Sequence, residues 1–396
     1  MKHIYFFNTK SRAAVYGIGT YLRQVTDCMR SIPDVSFNIV NLLVDVPEFT
    51  REEKNGYISY DIPENYMQTT KIIDCYSRNI WFLLRPYIQL QKGDVLIFHL
   101  NYTNSNSWIT WAKKDFPNCK ILLTIHYQDW CFSLNGNTTY FRKQILSEKL
   151  ASFSMEQKLY NDVDRIICLS HYTEKLLLHE YQIPREKIAV IYNGLKDEAV
   201  FLNREEKKKL KKKYFIREDE KIILFVGRLD DIKGVGYLIR AFRHVLDKIP
   251  ESRLYIIGDG LYSKYLNDCS GYWNKVTFTG RLNKDELYEF YQIADIGVMP
   301  SLHEQCSYVA MEMLMFNIPL LISTSTGLNE TLEGVEKIEV EEREDDVYIS
   351  VEKMAESMLA LLQAPPSNMY RETYLRKYEE SLFLEKMRNL YESLFV

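Results

Sequence analysis

The sequence of 396 residues is short of several things. It has seven cysteines, Cys28, Cys75, Cys119, Cys131, Cys168, Cys269 and Cys306, and no two stand in a CxxC spacing. Zinc ribbons and dithiol redox motifs are therefore excluded. An odd, scattered set of thiols points to a reducing compartment. No apolar run approaches the ~18 residues needed to span a bilayer. The apolar run at 3–8 is too short for a signal-peptide core. A cytoplasmic chain is expected, with contact at the inner face of a membrane left open. Positive charge is not in surplus: 50 Lys and Arg face 54 Asp and Glu, for a net charge of −4. No nucleic-acid partner is expected from that balance. Composition and spacing leave the oligomeric state undetermined.

What is present is ordinary globular composition, 46% hydrophobic and 26% charged. The length suits two domains. In the first half, short apolar runs at 3–8, 37–44, 94–100, 120–126, 165–170 and 188–192 alternate with helical patterns such as 18–30, 70–91 and 146–161. Strands alternating with helices imply a parallel sheet covered on both faces. The pattern restarts with strands at 221–227, 254–258, 276–279, 296–300 and 320–323. The expected fold class is α/β: two doubly wound Rossmann-like domains facing across a cleft, with ligands at the strand C-termini. The expected boundaries are 1–200 for the first domain, 201–220 for a linker and 221–380 for the second. A helix over 381–396 could cross back to the first domain. Lys207–Lys209 and Lys211–Lys213 in the linker read as a solvated helix face or as a contact for anionic lipid.

Several residues could carry chemistry. Glu304 and Glu312 stand eight apart, one in a loop after a strand and the other on a helix. Such a pair can flank a sugar and a ribose. Ser307 suits an N-cap, and the helix start at Ser307 and Tyr308 would offer N–H groups to a phosphate. Arg228 and Lys233 lie in one turn between a strand and a helix, a pairing suited to diphosphate. Gly258 and Gly280 close strands and would let backbone approach a nucleotide. Each feature alone is ordinary: the carboxylate spacing occurs by chance, and cations and glycines are common in turns. Cys306 has no His or Asp pattern that would make it a nucleophile.

Their order is more specific. Val226-Gly227-Arg228-Leu229, Lys233-Gly234, Gly258-Asp259-Gly260, Phe278-Thr279-Gly280-Arg281-Leu282, Ala294-Asp295, Pro300-Ser301, Glu304-x7-Glu312 and Gly327-Leu328-Asn329-Glu330 together resemble glycosyltransferase family 4 across essentially all of the second domain. In the first domain Tyr16-Gly17-Ile18-Gly19-Thr20-Tyr21 and Thr124-Ile125-His126 resemble it more weakly. Position 22 is Leu22, so the third glycine of a dinucleotide fingerprint is missing. The resemblance implies the GT-B architecture and retaining transfer of a hexose from a nucleotide-diphosphate sugar, UDP favoured over GDP, with no metal and no further cofactor. It implies Glu304 and His126 at the reacting sugar. Arg228, Lys233, Gly17, Gly19, Ser307 and Tyr308 would hold the donor diphosphate. Glu304, Gln305, Cys306 and Ser307 would hold the donor sugar. Glu312, Leu282, Arg281 and Gly258 would hold the nucleoside.

Two departures stand out. Tyr127 follows His126 where the family has Asp, and Asp129 comes later. Gln305-Cys306-Ser307 replaces the Gly-Phe-Gly of much of the family. Asp162-Val163-Asp164 mimics the metal-binding motif of the other glycosyltransferase fold but sits at a helix end in the wrong kind of domain. The acceptor is expected on the first domain, near Tyr127, Trp130, Phe132, Tyr140 and Phe141, with Trp108 and Trp111 nearby in sequence and about half of these rings expected in the core. A saccharide, a lipid-linked sugar or a peptide would fit aromatic faces. The peptide option comes from a loose likeness to a family 4 subgroup encoded beside small ribosomal peptide precursors. A non-catalytic GT-B partner protein is the alternative, although such proteins commonly lose the cations or carboxylates kept by this chain. A nucleotide-sugar epimerase would need acid and base groups in both domains, and no such set is evident.

Overall fold

The computed structural model describes residues 1–9, 17–54, 56–64, 70–103, 106–147 and 151–395. The chain divides into two compact units. The first comprises Met1–Gln128, Glu148–Tyr192 and Ser381–Val396, and the second Asp129–Ser147 and Asn193–Glu380.

Among its described residues the first unit holds an eight-stranded sheet. The strands are β1 (Lys2–Thr9), β2 (Val35–Val44), β3 (Thr50–Lys54), β4 (Tyr57–Pro63), β5 (Val95–Leu100), β6 (Lys120–Ile125), β7 (Arg165–Cys168) and β8 (Ile188–Val190). Their order is β3-β4-β2-β1-β5-β6-β7-β8, and only β3 and β4 pair antiparallel. Ile4, Tyr5, Phe6 and Phe7 are consecutive and all buried. Neighbours on a strand face opposite ways, so β1 is covered on both faces. The β3–β4 hairpin escapes a reading by apolar runs because β3 is Thr-Arg-Glu-Glu-Lys and almost wholly exposed. Charge on an edge strand discourages further pairing. The helix expected over 70–91 stops at Leu84. Pro86 then enters a short 3-10 turn, Arg85–Tyr87, because proline has no N–H to continue an α-helix. The helix expected over 146–161 is instead the end of Thr138–Leu146 followed by Ala151–Asp162; residues 148–150 lie outside the described residues.

The second unit is built on β9 (Lys221–Val226), β10 (Ser252–Ile257), β11 (Val276–Gly280), β12 (Ile296–Met299) and β13 (Leu320–Ile322). All pairings are parallel, in the order β11-β10-β9-β12-β13. The chain steps outward from β9 to β11 and then returns to the other side of β9 for β12. Loops leaving the C-terminal ends of β9 and β12 therefore diverge around a switch point, where such sheets bind ligands. A hairpin of β14 (Glu341–Arg343) and β15 (Asp346–Tyr348) completes the described strands.

The charged stretch read as a linker contains the helix Arg204–Lys213, started by a reciprocal cap between Asn203 and Glu206. It packs within the second unit. Leu210 is buried, and the Tyr214 ring lies 4.6 Å from that of Phe290. Lys213 pairs with Glu289, Lys208 with Glu205 and Glu218, and Lys211 donates to the carbonyls of Glu218 and Glu220. Lys209 and Lys212 stay exposed. No helix among the described residues is long and apolar enough to cross a membrane.

The segment Asp129–Ser147 corrects one expectation. Most of the aromatic loop assigned to the first domain packs in the second unit. Trp130 and Phe141 are buried and stacked at 4.1 Å. The Asn137 amide donates to the carbonyls of Arg343 and Asp346, and the N–H groups of Thr138 and Thr139 donate to Glu342. Trp130 and Phe141 are thus core rather than sugar-facing surface, in a segment held on the β14–β15 hairpin.

Gly234 joins the two sides of the switch point. It sits at φ +68°, and a Cβ there would lie 2.1 Å from the Pro300 carbonyl oxygen. Gly234→Ala is expected to destabilise the protein by about 2 kcal/mol or more through clash and a left-handed backbone. The melting temperature should fall by about 4–8 °C, and an unchanged melt would refute the packing role.

Candidate functional site

The C-terminal ends of the central strands are laced together by backbone hydrogen bonds. Gly227 N–H donates to Ile257 O at 2.9 Å, Leu229 N–H to Asp259 O at 3.0 Å and Gly258 N–H to Gly280 O at 3.0 Å. Gly258 is at φ +146°, and a Cβ would fall 1.8 Å from Gly227 O, so only glycine permits this approach. Across the switch point, Leu302 N–H donates to Ile232 O at 2.7 Å. Arg228, Lys233, Gly258 and Glu304 are thereby gathered at one end of the sheet.

The charges in this region are paired. The Lys233 ammonium forms an ion pair with the Glu304 carboxylate, their side chains 18% and 16% exposed. The Arg228 guanidinium lies 3.3 Å from the Asp230 carboxylate and 5.8 Å from the Phe132 ring centre. Burial raises the Asp230 carboxyl above its ordinary range, against the pull of Arg228 and Lys233.

The loop before the helix Tyr308–Met315 is held by its neighbours. Glu304 N–H donates to the Thr326 hydroxyl at 2.9 Å, and that hydroxyl donates to Glu304 O at 2.6 Å. Gln305 is buried, its amide donating to His303 Nε2 at 3.2 Å. Cys131 Sγ lies 3.0 Å from the same nitrogen. The Gln305 side chain is thus engaged within the protein. Cys306 O accepts from the Asn193 amide at 3.2 Å. Burial pushes the Cys306 thiol up to about 12, which leaves no thiolate at neutral pH. The Ser307 hydroxyl caps the helix by accepting from Ala310 N–H at 3.3 Å. Tyr308 is half-buried at the first helical position. Glu312, further along this helix, accepts 2.7 Å from the Tyr291 hydroxyl, and burial raises its carboxyl to about 7. Arg281 is exposed and Leu282 half-buried, directly after β11.

The remaining sequence candidates belong to the first unit. Gly17 and Gly19 form the first turn of the helix Gly17–Arg30; Tyr16 lies outside the described residues. His126 follows β6 and is hydrogen-bonded through Nε2 to Asn101 Oδ1 at 3.0 Å. Burial depresses its pKa to about 3, so the imidazole is neutral. Asp129 occupies the N-cap position of the short helix Trp130–Ser133. Beside His126, the Thr124 hydroxyl joins Tyr21 OH at 2.8 Å and His99 Nε2 at 2.7 Å. His99 Nδ1 reaches Tyr391 OH at 2.5 Å. Asn101, His303 and Thr326 were missed from sequence; adjacency to Glu304 was the one available signal, for His303. Asp164 is accounted for structurally, because its carboxylate accepts from Ile121 N–H at 2.7 Å. Among the described residues no group of three His, Cys, Asp or Glu side chains is arranged to hold a metal ion.

Comparison with known proteins gives the family. Residues 206–375 match the family described as Glycosyl transferases group 1, and residues 17–199 match Glycosyltransferase Family 4. The chain belongs to this glycosyltransferase family. An uncharacterized glycosyltransferase of Methanocaldococcus jannaschii is 35% identical over 173 residues, covering 42% of this chain and 44% of its own. The chain thus spans less than half the length of that relative. A lipopolysaccharide 1,2-N-acetylglucosaminetransferase of Salmonella typhimurium is 23% identical over 83% of this chain and 81% of its own. HepE of Anabaena, solved in complex with UDP, superposes with a TM-score of 0.70 at 14% identity, covering 99% of this chain and 100% of its own. That likeness shows the fold: the chain has the GT-B architecture of two Rossmann-like domains.

Glu312 gives a stability test. Its folded pKa of about 7 lies above the ordinary 4.5. The folded state therefore binds the extra proton, and the resulting stability is full below pH 4.5 and lost as pH rises through 7. Glu312→Gln keeps the side chain neutral. It should gain about 2–3 kcal/mol relative to wild type between pH 5 and pH 8. Denaturant titrations at both pH values would read this; an equal difference at both would show the carboxyl is not perturbed.

Proposed function

We propose that this glycosyltransferase is a retaining hexosyltransferase whose second unit binds a UDP-sugar. The observation that carries the reading is the pairing of Lys233 with Glu304 at the switch point, with Arg228 on the same turn as Lys233. Each cation now rests on a carboxylate, Lys233 on Glu304 and Arg228 on Asp230. A diphosphate would take their place, with charge-assisted hydrogen bonds. The helix start at Ser307 and Tyr308 adds N–H donors. Glu304, released from Lys233, would hold sugar hydroxyls and favour positive charge at the anomeric carbon. Glu312 and the backbone around Gly258, Arg281 and Leu282 would hold the nucleoside. The UDP bound by HepE supports UDP over GDP.

In the reaction, the bond from the anomeric carbon to the diphosphate oxygen breaks. A bond from that carbon to an acceptor hydroxyl oxygen forms on the same face. The hydroxyl proton passes to the departing diphosphate. The protein supplies position and electrostatics rather than a nucleophile. Arg228 and Lys233 provide the counter-charge, so no divalent metal is needed. His126, being neutral, would serve as a hydrogen-bonding group and not as a cation. The acceptor we favour is a saccharide, supported by the name of the Salmonella relative. A non-catalytic role is disfavoured by retention of both cations and both carboxylates.

The reading is tested by donor hydrolysis, which needs no acceptor. The wild-type protein should hydrolyse a UDP-hexose slowly after exhaustive EDTA treatment, and Glu304→Ala should not. Activity restored only by magnesium or manganese would overturn the metal-free reading, and full activity in Glu304→Ala would overturn the site.

Calorimetry tests the cations separately. Arg228→Ala and Lys233→Ala should each weaken UDP roughly tenfold to a hundredfold, the worth of one charge-assisted contact. Uridine binding should change far less. Equal weakening of both ligands would mean that the cations shape the domain rather than hold phosphate.

A further inference from the structure

Glu304 is fixed less by its own loop than by a residue 22 positions away. Thr326 begins a short 3-10 turn, Thr326–Glu330, after β13. Its hydroxyl makes both available contacts to the Glu304 main chain: it accepts from N–H at 2.9 Å and donates to the carbonyl at 2.6 Å. Gly327 N–H also donates to that carbonyl, at 2.9 Å. The main chain at Glu304 is thus held at both its donor and its acceptor, leaving the carboxylate to meet Lys233.

Thr326 does this from an unfavourable conformation. Its φ is +33°, which a β-branched residue rarely adopts. Strain of this kind persists only where the surroundings over-determine it, and it gathers at functional sites. Glycine would occupy the position without penalty but would have no hydroxyl to reach Glu304. The neighbours are consistent with a supported turn. Ser323 Oγ lies 3.0 Å from Ser325 Oγ and donates to Ser301 O at 2.6 Å, tying the end of β13 to the loop leaving β12.

We propose that Thr326 is a positioning residue for Glu304, its hydroxyl setting the main chain so that the carboxylate is aimed at the donor sugar. This rests on the assignment of Glu304 made above. Thr326 does not touch substrate; it acts through Glu304. The diphosphate is held by Arg228 and Lys233, so loss of the hydroxyl should slow turnover without weakening the nucleotide.

The test compares Thr326→Val, Thr326→Gly and Thr326→Ser with wild type and Glu304→Gln. Three quantities are read: kcat for UDP-sugar hydrolysis, UDP affinity by calorimetry and melting temperature. Thr326→Val keeps shape and strain but lacks the hydroxyl; kcat should fall at least about tenfold, with UDP affinity within about twofold. Thr326→Gly relieves the strain and should melt no lower than wild type while losing kcat to a similar degree, which keeps the test valid if the valine variant folds poorly. Thr326→Ser keeps the hydroxyl and should retain most activity. The proposal is overturned if Thr326→Gly and Thr326→Val keep wild-type kcat, if Thr326→Ser falls as far as they do, or if UDP affinity falls in step with kcat. Active Glu304→Gln would instead overturn the assignment of Glu304 itself.

Discussion

The Lys233–Glu304 ion pair joins a turn after β9 to a loop after β12, and much of the second unit is arranged so that these two segments can meet. Both side chains are mostly shielded from water, so each would be costly to bury alone. The strand order places β9 beside β12. Gly234, without a side chain, lets the turn press on the Pro300 carbonyl. Leu302 N–H and Ile232 O then close the contact with a backbone hydrogen bond. Thr326 holds the far side of Glu304. Two opposite charges are thus held in register at the end of the sheet.

The first unit handles its polar groups differently. Around the end of β6 they are uncharged and satisfy one another: Tyr391 with His99, His99 and Tyr21 with Thr124, and His126 with Asn101. Burial keeps both imidazoles neutral, because a charged ring there would lose its hydration without gaining a counter-ion. Such a network is rigid when complete and costly when one member is missing. Tyr391 comes from the helix Glu380–Leu394, most of which belongs to the first unit, so the end of the chain completes a network begun near its start.

Much of the candidate site in the second unit was legible in the sequence. Arg228, Lys233, Gly258, Glu304, Ser307 and Glu312 could be named because each sits at a strand end or helix start, and those ends are marked locally by apolar runs, glycines and caps. The central strands were legible for the same reason: a strand buried on both faces is a nearly continuous apolar run. The β3–β4 and β14–β15 hairpins were not, since Thr50–Lys54 and Glu341–Arg343 are polar and carry no such run. Nor was the placement of Trp130 and Phe141. An aromatic side chain reads alike whether it faces a sugar or a core; the structure buries this pair in the second unit, in a segment that Asn137 and Thr138 tie to Glu342, Arg343 and Asp346.

The sequence by itself determined the family, the α/β class, the positions of most strands and the chemical type of the candidate groups, all of which depend on near neighbours in the chain. Only the tertiary structure decided which groups meet. Lys233 and Glu304 are 71 residues apart, Glu304 and Thr326 are 22 apart, and Cys131 and His303 are 172 apart. No local spacing encodes those pairs. They follow from the order of strands in a sheet and from which loops that order brings side by side. The same holds for charge: Glu312 and His126 are ordinary titrating side chains in the sequence, and burial shifts the first up to about 7, against the Tyr291 hydrogen bond, and the second down to about 3.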